Sequence, residues 1–325
     1  MTKLYPLTFK PSYKNYLWGG DKLISKYHRD EPEGTYAESW EVADRPENNS
    51  VVASGSLAGK TLNELCTTYG QDLLGTACPT PHFPLLIKLI DAKQPLSVQV
   101  HPSADNAEQL AGEAKTEMWY ILDTEKDAAV YADVKPGVTK EQVEQAITDN
   151  TIEPLLNHLP VKTGDVIFIP GGRIHSIDTG CLIFEVQQNS DTTYRLYDWG
   201  RVGTDGQPRE LHIEKALQAI NWTPDSFSRV SPRLLDDSDV CYAQRLIETD
   251  YFLLNKCHLK QSTMINAHPN SFRVFFVESG AVKMECDDTT LELKAGQTVL
   301  MPACAPSYRL TPITDTVDLI AVLLP

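Results

Sequence analysis

Two histidines and one glutamate in this sequence have the chemistry and the placement of metal ligands. His101 ends a short β-branched run, Glu117 begins another, and His175 follows a turn rich in glycine and proline. Imidazole nitrogens and carboxylate oxygens bind Zn²⁺ and other first-row divalent metals, and a site with few protein ligands keeps room for substrate. Each residue alone is more readily a structural side chain, so the prediction rests on their joint placement at the ends of separate strands.

Residues 96–101 are predicted to form a strand with one polar face. Alternation puts three apolar residues on one face and Ser97, Gln99 and His101 on the other. Buried polar groups are costly without partners, so a polar face that lines a barrel must converge on a group that satisfies it. Pro102 ends the strand directly after His101.

A tight turn is predicted to deliver His175. Residues 164–175 read Gly-Asp-Val-Ile-Phe-Ile-Pro-Gly-Gly-Arg-Ile-His, and the proline and paired glycines leave His175 at the start of the returning strand. Its imidazole can then point into a barrel mouth. Glu117 is expected at the rim end of its own strand, on the same face as the bulky Trp119 and Ile121.

Short strand signals separated by turn residues dominate the chain. They lie at residues 51–53, 85–90, 96–101, 118–122, 165–169 and 181–186. Helical patterns interrupt them at residues 61–69, 104–110, 139–157 and 212–220. The pattern predicts a mainly β fold, a barrel or sandwich with helical insertions.

An internal repeat predicts two barrels. Residues 164–170 are echoed by residues 296–302, which have the same spacing from glycine to proline. A polar stretch at 228–239 is predicted to be a linker, which gives a catalytic domain over 1–245 and a C-terminal domain over 246–325. Cys304 and Ser307 stand in the second copy where Gly172 and His175 stand in the first, so the second barrel is predicted to be degenerate and without metal ligands.

The composition limits the partners of this chain. A formal net charge of −15 over 325 residues argues against nucleic acid or an anionic membrane surface, and an anionic small molecule would need a local cationic pocket. No apolar run reaches the ~18 residues of a membrane-spanning helix, and the start lacks an apolar signal region, so we expect a cytoplasmic protein. The seven cysteines show no CxxC pair and are expected to be free thiols.

Four segments carry a resemblance to a known family. They are residues 94–102 (Gln-Pro-Leu-Ser-Val-Gln-Val-His-Pro), 115–120 (Lys-Thr-Glu-Met-Trp-Tyr), 170–176 (Pro-Gly-Gly-Arg-Ile-His-Ser) and 185–195 (Glu-Val-Gln-Gln-Asn-Ser-Asp-Thr-Thr-Tyr-Arg). They resemble a modified pair of cupin motifs, and nearly the whole chain resembles the type I phosphomannose isomerases in their shorter bacterial form. Gln99 replaces the usual first histidine, and an insertion separates His101 from Glu117. The resemblance implies two cupin jelly-roll barrels with helical insertions.

The resemblance also implies a cofactor, a reaction and site residues. One Zn²⁺ per chain is expected to be bound by Gln99, His101, Glu117 and His175, with Arg195 and Glu185 as catalytic residues and Ser97, Lys115 and Trp18 lining the substrate pocket. The implied reaction interconverts mannose 6-phosphate and fructose 6-phosphate by proton transfer through an enediol, with Glu185 as the candidate proton-transfer group. Arg195 and Lys115 are expected to supply positive charge, and Arg195 could bind the phosphate or a developing oxyanion.

Two other functions stay open on the sequence. Two histidines and a carboxylate can also form the facial triad of an Fe(II)-dependent cupin dioxygenase, although Gln99 as a further ligand and the nearby cationic residues argue against it. A non-catalytic sugar-binding module could keep the fold without turnover, although the intact ligand set argues against that function.

Overall fold

The computed structural model describes residues 2–31, 34–203, 206–223 and 228–325. In chain order the first strands are β1 (Phe9–Lys10), β2 (Ser12–Lys14), β3 (Glu38–Val42), β4 (Asp44–Arg45), β5 (Asn48–Asn49), β6 (Val51–Val52), β7 (Leu85–Ala92), β8 (Val98–Val100), β9 (Glu117–Thr124), β10 (Ala129–Val134), β11 (Leu156–Pro160), β12 (Val166–Ile169), β13 (His175–Ile177), β14 (Cys181–Gln188), β15 (Tyr194–Tyr197) and β16 (Arg229–Val230). They continue as β17 (Arg233–Asp237), β18 (Cys241–Glu248), β19 (Leu253–Leu259), β20 (Thr263–Ile265), β21 (Arg273–Ser279), β22 (Ala281–Cys286), β23 (Thr289–Lys294), β24 (Thr298–Met301), β25 (Tyr308–Pro312) and β26 (Val317–Leu323). The helices are α1 (Lys22–Ser25), α2 (Leu62–Tyr69), α3 (Gln71–Leu74), α4 (Lys140–Thr148) and α5 (Ile213–Ala219), with a 3₁₀ turn at Glu153–Leu155.

Most strands form two pairs of antiparallel sheets, and β1 with β6 and β4 with β5 form two further two-stranded sheets. The first pair has a seven-stranded sheet of order β16-β12-β9-β14-β7-β3-β2 and a five-stranded sheet of order β11-β10-β13-β8-β15. The second pair has a six-stranded sheet of order β17-β18-β19-β26-β21-β24 and a four-stranded sheet of order β20-β25-β22-β23. The prediction of a mainly β fold is confirmed, while closure of each pair into a jelly-roll barrel stays a prediction.

Alternation decides which side chains of the seven-stranded sheet face the five-stranded sheet. Trp119 and Ile121 of β9 and Ile183 of β14 share an apolar cluster with Val130 of β10, so these residues point inward. Their neighbours in sequence point to the opposite face. Residues of both faces are buried, and this explains why β7 and β14 read as nearly continuous apolar runs instead of alternating ones.

The outer face of the seven-stranded sheet packs on the six-stranded sheet of the C-terminal part. Phe184 stacks on Phe276 with ring centroids 4.9 Å apart. The Tyr120 hydroxyl accepts a hydrogen bond from Nζ of Lys256 at 2.6 Å, and that lysine also pairs with Glu278. The two sheet pairs therefore stack through one large apolar core that draws residues from both.

Two of the four predicted helices begin where their local signals place them. Thr61 with Glu64 and Thr139 with Gln142 each form a capping box, in which the threonine side chain and the residue three positions later satisfy each other's backbone N–H groups. The pattern at 212–220 is also helical, over Ile213–Ala219.

One helix prediction is wrong, and another is wrong at its end. Residues 104–110 form turns. Helix α4 ends at Thr148 instead of continuing to residue 157, because Asn150 adopts φ of +55° and the N–H of Thr151 donates to the carbonyl of Ala146 at 2.7 Å. This is a Schellman arrangement, which ends a helix.

The two copies of the repeat share their local geometry. Gly164 and Gly296 have φ of +91° and +85°, and their N–H groups donate to the carbonyls of Ile121 and Val277 at the same 2.8 Å. The stretch predicted to be a linker contains β16 and β17, and β18 runs through the predicted boundary at residue 245. The division into two domains at that position stays a prediction.

One disulfide corrects the expectation for the cysteines. Cys241 on β18 and Cys257 on β19 are bonded, and the other five cysteines are free thiols. Among the helices within the described ranges, none is long and apolar enough to cross a membrane.

Candidate metal centre and substrate cavity

Gln99 lies at the centre of a row of side chains on the five-stranded sheet. Strand pairing sets it opposite His175 of β13 on one side and opposite Arg195 of β15 on the other. Paired residues point to the same face of a sheet, and all three side chains line one cavity between the two sheets.

The paired glycines before β13 bring His175 next to His101. The N–H of Gly172 donates to the carbonyl of His101 at 2.8 Å. A Cβ on Gly171 would lie 2.7 Å from Cα of Ser103, so only glycine allows this approach. The turn therefore delivers His175 to the position that the sequence predicts.

His101, Glu117 and His175 form a compact buried cluster. Nε2 of His101 lies 3.3 Å from Oε2 of Glu117, and Nε2 of His175 lies 3.4 Å from Oε1. One donor atom from each residue lies within 4.8 Å of the others. Nζ of Lys115 borders the cluster, 3.2 Å from Oε2 of Glu117.

The outer hydrogen bonds of the two imidazoles fix their tautomers. Nδ1 of His101 lies 2.9 Å from the carbonyl oxygen of Thr192, and Nδ1 of His175 lies 2.9 Å from that of Arg173. A carbonyl only accepts, so each Nδ1 carries the proton and each Nε2 turns its lone pair toward Glu117. Burial, followed by the positive charge of Lys115, lowers the pKa of His101 to about 3, so this imidazole is neutral at pH 7.

The atoms that face one another in the cluster are therefore all hydrogen-bond acceptors, and no proton lies between them. Nε2 of His101 and Oε2 of Glu117 have no hydrogen-bond partner among the residues that the structure describes. The approach of Lys115 to Oε2 is an ion pair without hydrogen-bond geometry. Burial is the largest single influence and raises the pKa of Glu117, but Lys115 and the neighbouring His101 and His175 together outweigh it and hold that pKa well below the ordinary value. Two neutral imidazoles and one carboxylate fit a divalent metal ion, which would satisfy all of these atoms.

Gln99 reaches the cluster through its amide. Its Nε2 lies 3.3 Å from Nε2 of His175, and its Oε1 accepts a hydrogen bond from Oγ of Ser97 at 3.2 Å. A half-turn of the amide exchanges the two atoms and turns the oxygen, which can bind a metal, toward the cluster. Ser97 in turn accepts from Nε of Arg195 at 3.2 Å.

The facing seven-stranded sheet contributes a row of charged and aromatic side chains. Pairing of β9, β14 and β7 aligns Trp119, Glu185 and Lys88. Nε1 of Trp119 donates to Oε2 of Glu185 at 2.8 Å, and Nζ of Lys88 lies 3.0 Å from Oε1. Oε2 of Glu38 lies 3.5 Å from the same lysine.

The environment perturbs both members of the Lys88–Glu185 pair. Burial and then the negative charge of Glu117 raise the pKa of Glu185, and Lys88 only partly opposes this rise. Burial lowers the pKa of Lys88, but the carboxylates of Glu185 and Glu38 outweigh it and raise that pKa above its ordinary value. Glu185 is thus a carboxyl group with increased proton affinity in a cavity, as acid–base catalysts often are.

All of these groups surround a single cavity of about 370 Å³. The predicted site residues in its wall are Trp18, Ser97, Gln99, Lys115, Glu117, His175, Glu185 and Arg195. The ring of Trp18 stacks obliquely on Tyr16, with centroids 5.6 Å apart. The structure thus brings the predicted residues together, with His101 directly behind Glu117.

The sequence interpretation missed several residues of this cavity. Lys88 had a usable signal, because it interrupts the apolar run at 85–90 and a lysine in such a strand needs a buried acidic partner. Glu38 and Arg209 also line the cavity, but their positions follow only from the fold.

Comparisons with known proteins agree on one family. Residues 7–160 match the family described as phosphomannose isomerase type I, catalytic domain. The mannose-6-phosphate isomerase ManA of Bacillus subtilis is 35% identical over 307 residues, which cover 94% of this chain and 95% of that protein. A mannose-6-phosphate isomerase of Streptococcus mutans is 38% identical over 218 residues, 66% of this chain and 67% of that one.

A solved structure gives the same result at the level of the fold. The crystal structure of the mannose 6-phosphate isomerase from Bacillus subtilis superposes with a TM-score of 0.89 at 30% identity, over 98% of this chain and 99% of that one. Sequence identity and structural agreement both extend over nearly the whole length. The chain therefore belongs to the type I phosphomannose isomerase family.

Proposed function

We propose that this chain is a metal-dependent aldose–ketose isomerase that interconverts mannose 6-phosphate and fructose 6-phosphate by proton transfer through an enediol. The observation that carries the proposal is the meeting, in one cavity, of an acceptor-only cluster and the protonatable carboxyl group of Glu185. The names of the relatives supply the substrate.

One metal ion per chain, with zinc as the expected element, would be held by His101, Glu117 and His175, and by Gln99 after its amide turns. A divalent ion at this place would polarise the oxygens next to the reacting carbons. Lys115 keeps a further positive charge at the same end of the cavity.

Glu185 is proposed to move the proton. Its carboxylate takes the proton from C2 of the aldose, and the electron pair of that C–H bond forms the C1=C2 bond while the aldehyde oxygen gains a proton. Return of the proton to C1 turns the C1=C2 pair into a C–H bond, and the C2 hydroxyl gives up its proton as the C2=O bond forms, so the proton gained at O1 is balanced by the one lost at O2. Trp119 and Lys88 each contact one carboxylate oxygen of Glu185 and thereby hold the group in place.

Arg195 and Ser97 are proposed to hold the remainder of the substrate. Nη1 of Arg195 donates to the carbonyl of Glu210 at 2.8 Å and its Nε donates to Ser97, so the guanidinium is fixed in the cavity wall. Trp18 is proposed to pack against the sugar ring.

An isomerisation assay in D₂O tests the proposal. We expect the zinc-loaded chain to convert mannose 6-phosphate to fructose 6-phosphate with deuterium from solvent at C1. Glu185→Gln should keep its metal and lose about 100-fold or more in kcat, because it has no exchangeable acid–base group. Glu144→Gln, on the exposed side of α4, is the matched control and should keep full activity.

Two other outcomes would replace this function. Consumption of oxygen without isomerisation would identify a dioxygenase. Binding of the sugar phosphate without conversion would identify a binding module.

A further inference from the structure

Asp198 organises two arginines at the outer end of the cavity. Its buried carboxylate accepts from Nε of Arg209 at 2.7 Å, from Nη2 of the same side chain, and from Nη2 of Arg201. The two bonds to Arg209 form a bidentate fork, which fixes the plane of that guanidinium. Arg201 is tied down further, because its Nη1 donates to the carbonyl of Pro95.

Arg209 and Arg195 keep unused donors on the same cavity. Nε and Nη2 of Arg209 donate to Asp198. Nε of Arg195 donates to Ser97, and its Nη1 donates to the carbonyl of Glu210. Among the residues that the structure describes, Nη1 of Arg209 and Nη2 of Arg195 have no protein acceptor. Both arginines line the cavity, whereas Arg201 does not.

Three guanidinium groups, those of Arg195, Arg201 and Arg209, gather near this end of the cavity in a strongly acidic protein. Burial, and then the neighbouring charge of Arg209, lower the pKa of Arg195, so the guanidinium groups repel each other. Asp198 and Glu210 offset part of this charge and Asp191 also lines the cavity, but no carboxylate within the described ranges forms an ion pair with Arg195. An anion that accepts from both arginines would relieve the repulsion, against a net charge of −15 for the chain.

The cavity has two ends, and these arginine donors lie at the end away from the proposed metal cluster. Lys115 lies at the inner end, against Glu117 of the metal cluster. Arg195 is connected to that cluster only through a chain of contacts that passes through Ser97 and Gln99. The arginines therefore lie away from the proposed metal, where a six-carbon sugar bound by its first two carbons would present its other end.

We propose that Arg209, oriented by Asp198, binds the 6-phosphate of the substrate together with Arg195. This inference rests on the proposed function and assigns the phosphate to the two arginines and the charge at the reacting end to Lys115. Arg209 is then a specificity-determining residue, because the charged Nη1 donor that Asp198 leaves free would bind a phosphate dianion more strongly than a neutral sugar. Asp198 is a positioning residue.

Replacement of Arg209 tests the inference on the metal-loaded chain. Loss of a charge-assisted hydrogen bond predicts that Arg209→Gln raises KM for mannose 6-phosphate and the dissociation constant of inorganic phosphate about 10- to 100-fold, with kcat changed by less than about threefold. Arg209→Lys keeps the positive charge but lacks the planar guanidinium that Asp198 orients, so it should recover part of the phosphate affinity that Arg209→Gln loses. Asp198→Asn should raise KM less and leave kcat intact.

Calorimetry with inorganic phosphate makes the result independent of turnover. Arg233→Gln, in the exposed strand β17, removes the same charge elsewhere and should leave both constants unchanged. Wild-type affinity for phosphate in Arg209→Gln, or unchanged binding in Arg209→Lys if the first variant fails to fold, would overturn the inference. Phosphate binding that depends on Arg209 in a chain without isomerase activity would refute the proposed function and leave the anion site standing.

Discussion

The donor atoms of His101, Glu117 and His175 point at one another where water has almost no access. Each of these residues is only 1% exposed, and the two imidazoles carry their protons on the far side. Leaving such groups unpaired costs about 1–3 kcal/mol each, more for a charge. A cation bound between them would remove this cost, so the burial and the unpaired acceptors of these residues support the proposed metal centre.

Glu117→Ala is the sharpest change at the residue scale. We expect affinity for Zn²⁺ to fall at least about 100-fold, because the only carboxylate of the cluster is lost and Lys115 remains as a repelling charge. Elemental analysis after dialysis should find close to no metal in the folded variant and one equivalent in Glu144→Ala. A full equivalent of metal in Glu117→Ala would show that the ligand set is wrong.

Local signals in the sequence predict the positions of His101, Glu117 and His175, but not those of the other charged residues that line the cavity. Residue type, strand-face alternation and the paired glycines place His101, Glu117 and His175. Arg209 has no such signal, because its place in the cavity wall follows only from the fold and from its contact with Asp198, a residue just beyond the 185–195 motif. Lys88 was visible as a lysine in an apolar strand, but its partner Glu185 follows from strand pairing.

At the scale of elements, β3 connects the cavity to the C-terminal part of the molecule. Glu38 on one face lines the cavity. Glu41 on the other face pairs with Arg29 at 2.8 Å and accepts from Oγ1 of Thr298 at 3.1 Å, while Arg29 also donates to the carbonyl of Gly296. The side chains of the pair are 9% and 2% exposed, so it is a buried ion pair.

Arg29→Met should destabilise the fold strongly. Removing one partner of a buried ion pair leaves the other charge uncompensated, which predicts a loss of about 3–5 kcal/mol in the free energy of unfolding. Lys60→Met removes an exposed lysine that pairs with Glu64 and should cost no more than about 0.5 kcal/mol. Urea unfolding of both variants checks the difference, and equal effects would contradict the role given to β3.

The sequence predicted best those elements whose start is marked by residues in the element itself. Capping boxes mark the starts of α2 and α4. The end of α4 was misplaced because the left-handed conformation of Asn150 outweighs the apolar periodicity that continues past it. Residues 228–239 looked like a linker since their strands β16 and β17 lie at sheet edges, where apolar alternation is weak.

At the scale of the whole molecule, the seven-stranded sheet serves two purposes. Its inner face carries Lys88 and Glu185, and its outer face packs on the C-terminal six-stranded sheet through Phe184 and Tyr120. The repeat in the sequence revealed two similar units, but not that they stack through this sheet, because those contacts join residues far apart in the chain. A cytoplasmic location stays a prediction.

Removal and return of the metal tests the account most directly. The chain stripped with a chelator should remain folded, contain no metal and lose isomerase activity, and one equivalent of Zn²⁺ should restore both the metal content and kcat. Parallel additions of Mn²⁺ and Fe²⁺ show which other ions the cluster of His101, Glu117 and His175 accepts. Full activity in the metal-free chain would contradict the account.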